Sequence, residues 1–177
     1  MKNLKIYKIS LCAMFTALVF VATYLITIPL PAVGYLNLGD TFIVLSAIIL
    51  GAPFGAICGG LGAMLADILL GYGVYAPATL IIKAAMAVSC YYVYKLIAKL
   101  FNRPIGFFLG ALAAEIIMVI GYFLFEGIFI TGFAGATLNI LFNLIQGGVC
   151  LVASNIIANV LFSNSSIKKQ IERLNNF

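Results

Sequence analysis

Long apolar segments of helical length constrain this chain more than any other feature. Six such runs are separated by short breaks rich in proline, glycine or polar residues. Their length favours α-helices over the alternating segments of a membrane β-barrel. Only 8% of the residues are charged and 64% are hydrophobic, whereas a soluble domain carries about 25% charged residues. The sequence therefore predicts an all-α integral membrane protein whose solvent is mostly lipid.

The breaks between the runs divide the chain into a membrane domain and a tail. Pro29 and Pro31 are expected to end the first helix, because proline lacks the backbone N–H and restricts the residue before it. We predict a six-helix bundle over residues 1–162 and a polar cytoplasmic tail over residues 163–177. The predicted helices run approximately over Ile9–Ile28, Thr41–Leu50, Phe54–Leu70, Ala78–Leu100, Ile105–Phe125 and Ala136–Phe162.

Basic residues predict the orientation of the bundle. With six crossings, nine of the ten Lys and Arg residues fall at one face, namely Lys2, Lys5, Lys8, Lys95, Lys99, Arg103, Lys168, Lys169 and Arg173. The breaks at the opposite face contain no Lys or Arg and carry Asp40 and Glu126. The positive-inside rule then predicts that both termini lie in the cytoplasm.

A polar interruption over Gly34–Asp40 is the first candidate functional segment. It lies between two apolar runs and contains Tyr35 and Asn37 as candidate binding residues. Gly34, Gly39 and Asp40 are predicted to let this loop close over a ligand, since glycine tolerates the necessary backbone change.

Lys83 lies inside the fourth apolar run, where an unpaired charge is costly. Tyr75 and Thr79 precede it at intervals of four residues and share its helical face. Two interpretations stay open: Lys83 pairs with a carboxylate to fix the bundle, or it contacts a ligand. Glu115, near the middle of helix five, is a candidate partner.

Two further polar stripes are predicted on neighbouring helices. Helix five presents Glu115, Tyr122 and Glu126 on one face, and helix six presents Asn139, Asn143 and Gln146. Interhelical hydrogen bonding is one explanation. Three stripes in the same half of consecutive helices also predict a polar cavity that opens outward and suits a small, flat organic molecule.

Small residues form a second pattern, with a different prediction. Gly51, Gly55, Gly59 and Ala63 recur every four residues, which is typical of close helix packing. The role of Asp67, at the end of this series, is left open. On helix one, Ala13 and Ala17 have the same spacing, and this small-residue face could dock a partner helix.

No metal or cofactor site is predicted. The chain has no histidine, and its four cysteines lie in apolar runs without a paired spacing. The cysteines are therefore interpreted as small buried apolar side chains.

Several segments together resemble a known family. In their order and spacing, these segments are similar to the substrate-binding S component of energy-coupling factor (ECF) vitamin transporters. They are the motif Ala13-x-x-x-Ala17, the loop Tyr35–Asp40, the turn Leu50–Ala56 and the segment Ile81–Ala84. The resemblance covers essentially the whole chain. It implies a high-affinity binding subunit, not an enzyme, for pyridoxine-like, hydroxymethylpyrimidine-like or riboflavin-like cargo.

The resemblance also implies partners and a mechanism. The cargo would bind at the outer side, between the first loop and helices four to six. The Ala13/Ala17 face would contact a transmembrane coupling subunit driven by two cytoplasmic ATPases, and the S component would topple to deliver its cargo. The sequence contains no P-loop motif, which agrees with ATP hydrolysis in the partners.

Two alternatives compete with this interpretation. A small homo-oligomeric exporter or channel would use the glycine series for self-association. An intramembrane enzyme is disfavoured by the missing histidine and by the lack of a clustered acid pair, although Lys83 could serve a Ser–Lys dyad.

Overall fold

A computed structural model describes residues 2–29 and 34–175, without the side chains of residues 2, 3, 172 and 175. Pro31, predicted to help end the first helix, lies outside the described residues. The elements are α1 (Lys2–Leu25), β1 (Ile28–Pro29), β2 (Tyr35–Leu36), α2 (Gly39–Leu50), α3 (Ala52–Leu69), α4 (Ala76–Leu100), α5 (Arg103–Phe129), α6 (Gly132–Ser163) and α7 (Ser165–Asn175).

The short helix α2 lies at the centre of the bundle. Ten of its twelve residues are buried, and it contacts each of the other six helices in the described part of the chain. α1, α3, α4, α5 and α6 form an arc around it, each packed against the next. The arc positions the polar faces of α4, α5 and α6 around the N-terminal end of α2.

Local sequence explains where the helices begin and end. Gly51 has φ +91°, a left-handed conformation that glycine adopts without a Cβ penalty, and it separates α2 from α3. The first turns of α3, α4 and α5 each contain a proline, namely Pro53, Pro77 and Pro104. Proline is tolerated there because the N–H that it lacks would have no partner within the helix. Asn102 caps α5 by accepting a hydrogen bond from the Ile105 N–H at 3.0 Å.

The glycine series of α3 packs against neighbouring helices, as predicted. A Cβ on Gly55 would lie 2.6 Å from the Ala47 Cα, and one on Gly59 would lie 2.9 Å from the Ile43 side chain. Both contacts are with α2, so these glycines let α3 approach the central helix closely.

Several predicted boundaries were wrong. α1 begins near the N-terminus and ends at Leu25, because the next residues pair as a hairpin in which Ile28 faces Leu36 and Pro29 faces Tyr35. Gly39 and Asp40 belong to the first turn of α2, not to a loop. Glu126 is helical because α5 continues to Phe129.

The predicted polar tail contains the helix α7. α7 packs against α2 and α6, and its apolar residues Ile171 and Leu174 are buried. A helix that is charged on one side and apolar on the other is stable here because the bundle covers its apolar side.

Five helices of the described chain are long and apolar enough to cross a membrane: α1, α3, α4, α5 and α6. α2 has twelve residues, which correspond to about 18 Å at 1.5 Å per residue. By length alone, therefore, the predicted count of six crossings is not established.

Candidate functional site

Polar side chains from the hairpin and from α1, α3, α4, α5 and α6 converge on a cavity of about 30 Å³. We call it the tyrosine cavity. Its lining consists of Thr23, Gly34, Tyr35, Asn37, Ala63, Asp67, Tyr72, Tyr75, Thr79, Lys83, Tyr122, Glu126, Asn143 and Gln146. In a bundle this apolar, such a concentration of polar groups marks the candidate binding site.

A buried ion pair forms the floor of the tyrosine cavity. Lys83 Nζ lies 2.5 Å from Asp40 Oδ1, and the exposed fractions of the two side chains are 2% and 0%. Gln146 Nε2 donates to the other carboxylate oxygen of Asp40 at 2.7 Å. Lys83 Nζ also lies 5.3 Å from the centre of the Tyr122 ring, within cation–π distance. The positive charge of Lys83 is thus already compensated within the protein.

The expected partner of Lys83 was wrong. Glu115 was the candidate, but the ion pair is formed with Asp40. Glu115 is buried away from the lining, beside Gly147, and its carboxylate oxygens have no hydrogen-bond partner among the described residues. Because α2 begins at Gly39 instead of after a loop, its first turn brings Asp40 into the centre of the bundle.

The hairpin joins this network through Asn37. The Asn37 backbone N–H donates to Gln146 Oε1 at 2.9 Å, and its side-chain oxygen accepts from the Gly39 N–H at 2.9 Å. The second bond ties the hairpin to the start of α2. A Cβ on Gly39 would clash with the Thr23 hydroxyl, so the glycine is needed for close packing against α1.

Aromatic rings form one wall of the tyrosine cavity. Tyr35 and Tyr72 have ring centroids 4.9 Å apart, and Tyr75 lies 6.2 Å from Tyr72 and 6.5 Å from Tyr122. The Tyr35 hydroxyl donates to Asp67 Oδ1. Burial, together with the nearby Asp67 carboxylate, raises the pKa of Tyr35 well above its ordinary value, so the phenol stays neutral and remains a donor.

A second carboxylate, Glu126, lies beside Tyr75 at the end of this wall. Asn139 Nδ2 donates to Glu126 Oε2 at 3.0 Å, and the Tyr75 hydroxyl donates to Glu126 Oε1 at 3.3 Å. Asn139 therefore orients Glu126 from behind and is not part of the lining. Burial, with the charge of Glu126 next in importance, raises the pKa of Tyr75.

Eight of the ten residues predicted to bind substrate line the cavity; Glu115 and Asn139 do not. Of the predicted gating residues, Gly34 is in the lining, whereas Gly39 and Asp40 lie beneath it. The lining also contains Thr23, Ala63 and Tyr72, which were not predicted, Glu126, which was predicted on the polar face of helix five but not as a binding residue, and Asp67, whose role was open. Tyr72 lies in the turn before α4, outside any helical period, so its spacing gave no signal.

The small-residue face of α1 is also accessible. Ala13 and Ala17 are both exposed, while Cys12 and Phe15 on the same helix are buried in the core. The two alanines thus leave a smooth surface on the outside of the bundle.

Comparisons with known proteins agree with this arrangement. The family model described as "ECF-type riboflavin transporter, S component" matches residues 3–167. The thiamine precursor transporter HmpT of Lactococcus lactis subsp. cremoris (strain MG1363) is 30% identical over 163 residues, covering 91% of each chain. An uncharacterised protein of Pyrococcus woesei is 40% identical over 105 residues, which are 59% of this chain and 68% of that protein.

A solved structure, described as "Structure and mechanism of the S component of a bacterial ECF transporter", has the same fold and superposes with a TM-score of 0.69. The superposition covers 92% of this chain and 98% of the other, at 21% sequence identity. The fold is therefore shared over nearly the full length of both chains.

Proposed function

Because this chain belongs to the family of S components of ECF-type riboflavin transporters, we propose that its tyrosine cavity binds a vitamin or vitamin precursor at the outer face of the membrane. A member of this family is a membrane-embedded substrate-binding subunit of a transporter and not an enzyme. The intramembrane-enzyme alternative is therefore rejected.

The polar groups of the cavity favour a cargo that donates hydrogen bonds. Asp67 is 3% exposed, and its Oδ2 accepts no hydrogen bond from the described residues. Thr79 is close to Asp67, but its hydroxyl lies 3.0 Å from the Tyr122 hydroxyl oxygen. A buried acceptor without a donor costs about 1–3 kcal/mol. A cargo N–H or O–H that reaches Asp67 Oδ2 would recover this energy.

An amino-substituted aromatic ring fits these groups best. Its amino group would donate to Asp67, its ring would stack on the tyrosine wall, and Asn143 would contact its polar edge. Hydroxymethylpyrimidine has this chemistry, and the name of the related thiamine precursor transporter supports it. Riboflavin is the second candidate, supported by the family description, because its ring system is flat and also carries an N–H donor.

Binding would require the hairpin to move. A volume of about 30 Å³ is far below the roughly 300–1,000 Å³ of small-molecule pockets. Tyr35 and Gly34 belong to the segment that we propose as the gate, and Gly34 has φ +84°, which suits a hinge. Gly39 and Asp40 would be its fixed end, since α2 and Lys83 hold them in place.

We propose partners of the kind that S components have in ECF transporters, a proposal that the family match supports. The exposed Ala13/Ala17 face would contact the transmembrane coupling subunit, and two cytoplasmic ATPases would supply the energy. Cargo binding would favour the coupling-competent conformation by population shift. In this arrangement α2 provides the sixth crossing, both termini are cytoplasmic and the tyrosine cavity opens outward.

Native mass spectrometry of the detergent-purified chain tests the proposal, with B vitamins and their precursors added as a panel. Asp67→Asn is the informative variant, because it keeps the shape of the side chain and replaces the charged acceptor. We expect it to weaken cargo retention by about tenfold to a hundredfold, the usual value of a hydrogen bond to a charged group. Glu172→Gln, the same chemical change on α7, is the control and should retain cargo fully.

The outcome also identifies the cargo. Retention of one compound by the unmodified chain, lost in Asp67→Asn and kept in Glu172→Gln, would support the proposal. Retention that is unaffected by Asp67→Asn would contradict the proposed role of the carboxylate. A stable homo-oligomer that retains no member of the panel would favour the exporter or channel.

A further inference from the structure

The tyrosine cavity contains more acidic than basic groups. Its described lining includes two carboxylates, Asp67 and Glu126, and one basic residue, Lys83. Lys83 is already paired with Asp40 beneath the lining, and neither Asp67 nor Glu126 forms an ion pair with any described residue. Both carboxylates are only 3% exposed. A buried charge is costly unless a counter-charge compensates it.

The other basic residues of the chain lie far from these two carboxylates. They are found at the start of α1, at the junction of α4 and α5, and in α7. On α4, Lys95 follows Tyr75 by twenty residues, which correspond to about 30 Å along a helix. The segment 30–33, next to the cavity in sequence, contains no charged residue. The chain itself therefore does not supply the missing positive charge.

The two carboxylates are attached to opposite ends of the tyrosine wall. The Tyr35 hydroxyl donates to Asp67, and the Tyr75 hydroxyl donates to Glu126 at 3.3 Å. Tyr72 connects these two tyrosines, with ring centroids 4.9 Å from Tyr35 and 6.2 Å from Tyr75. The phenol donors are neutral, so they orient the carboxylates without compensating their charge.

Aromatic rings beside carboxylates suit a cationic ligand better than a neutral one. The face of a tyrosine ring attracts a positive charge within about 6 Å of its centre. A hydrogen bond to a carboxylate is also roughly twice as strong when the donor carries a charge. A protonated amine would use both interactions in this cavity, whereas a hydroxyl group would use only a weaker hydrogen bond.

We propose that the cargo of the tyrosine cavity carries a positive charge, which is held between Asp67 and Glu126 against the ring of Tyr72. This inference rests on the proposed function and specifies its substrate class as a flat ring with a protonated amino or aminomethyl group. Glu126 is then a specificity-determining residue alongside Asp67. A phosphate ester of the same ring would bring like charges together, so the cavity would reject it.

The gate hairpin covers this charge site. A Cβ on Gly34 would lie 3.9 Å from Glu126 Oε1, and the Tyr72 hydroxyl donates to the Gly34 carbonyl oxygen at 3.5 Å. Closure of the hairpin over a cationic cargo would exclude water from the new ion pair. Because attraction between charges is stronger where water is excluded, closure would strengthen the selection for a cation.

The test uses the full detergent-purified chain and two pairs of probes. Pyridoxamine has an aminomethyl group where pyridoxine has a hydroxymethyl group. The second pair is hydroxymethylpyrimidine and the analogue in which an aminomethyl group replaces its hydroxymethyl group. Native mass spectrometry measures the competition within each pair at neutral pH, where an aliphatic amine is protonated.

We expect the aminomethyl member of a retained pair to bind about tenfold more tightly, or better, because its hydrogen bonds are charge-assisted. Glu126→Gln and Asp67→Asn should each remove most of this preference, since they keep the shape of the side chain and remove its charge. Glu115→Gln, the same change on α5 but outside the lining, is the control and should keep the preference. The readout is a ratio within one protein, so a partial loss of folded protein does not alter it.

Four results would overturn the inference. Equal or stronger retention of the hydroxymethyl compounds, or retention of riboflavin alone, would exclude a cationic cargo and leave the proposed binding function intact. A preference for the amine that persists in Glu126→Gln and Asp67→Asn would place the charge elsewhere. Retention of pyridoxine phosphate would contradict the negative character of the cavity. Retention of none of these compounds would overturn both this inference and the proposed function.

Discussion

Separating Lys83 from Asp40 is the strongest single test of the bundle. The two side chains are almost completely buried and 2.5 Å apart, and Gln146 bonds to the remaining carboxylate oxygen at 2.7 Å. In Lys83→Met, Asp40 would remain as an uncompensated buried charge. Breaking a buried pair in this way costs about 3–5 kcal/mol. At roughly 2–4 °C per kcal/mol for a chain of this size, the melting temperature should fall by about 6–20 °C.

The double variant Lys83→Met/Asp40→Asn separates the charge effect from the loss of packing. It leaves no unpaired charge, and replacing a buried ion pair by neutral groups of similar volume is often close to neutral. We therefore expect it to recover most of the stability that Lys83→Met loses. A double variant as unstable as the single one would refute the reasoning, because the cost would then not come from an orphaned carboxylate.

A thiol-reactive dye can measure this unfolding, since the chain has no tryptophan but has four free cysteines that are all buried. The dye will react only when the bundle opens.

Cargo retention by the folded double variant decides between the two roles left open for Lys83. Retained affinity would mean that the lysine only fixes the bundle, and lost affinity would mean that it contacts the cargo.

Two further predictions concern packing and coupling. Gly55→Ala should destabilise the bundle by about 1–3 kcal/mol, because its Cβ would press on the Ala47 backbone, whereas Gly73→Ala, in open space, should leave the dye-detected melting unchanged; equal melting of the two would contradict the packing described for α3. Ala17→Trp on the exposed face of α1 should preserve cargo binding and abolish uptake in cells, with Val152→Trp at an exposed position of α6 as the control. Normal uptake by Ala17→Trp would exclude this face as the coupling surface.

Much of the architecture was predictable because it depends on local composition. Apolar runs, prolines in first turns and the small residues of α3 specified the long helices and their packing. Tyr75, Thr79 and Lys83, whose spacing predicted a shared face, all line the tyrosine cavity. These features can be predicted from the helical spacing of the residues and from the length of the apolar runs, without knowledge of distant contacts.

Other features were not predictable because they depend on contacts between distant segments. Asp40 pairs with Lys83 across 43 positions of sequence, and nothing local indicates that choice over Glu115. Glu126 looked like part of a loop because glycines follow it, but its bonds to Asn139 and Tyr75 belong to a continued helix. α7 was predicted to be a polar tail because its sequence is polar overall. Its few apolar residues form a buried face only in contact with the bundle, which the sequence does not show.

The central position of α2 has a consequence for how the bundle meets the bilayer. A helix about 18 Å long, if surrounded by lipid, would be mismatched to a hydrocarbon core of about 30 Å, and the bilayer would have to thin around it. Ten of the twelve residues of α2 are buried, however, so this helix is surrounded by protein and not by lipid. The bundle can therefore hold a short helix at membrane depth without deforming the lipid, and only the outer helices need to respond to bilayer thickness.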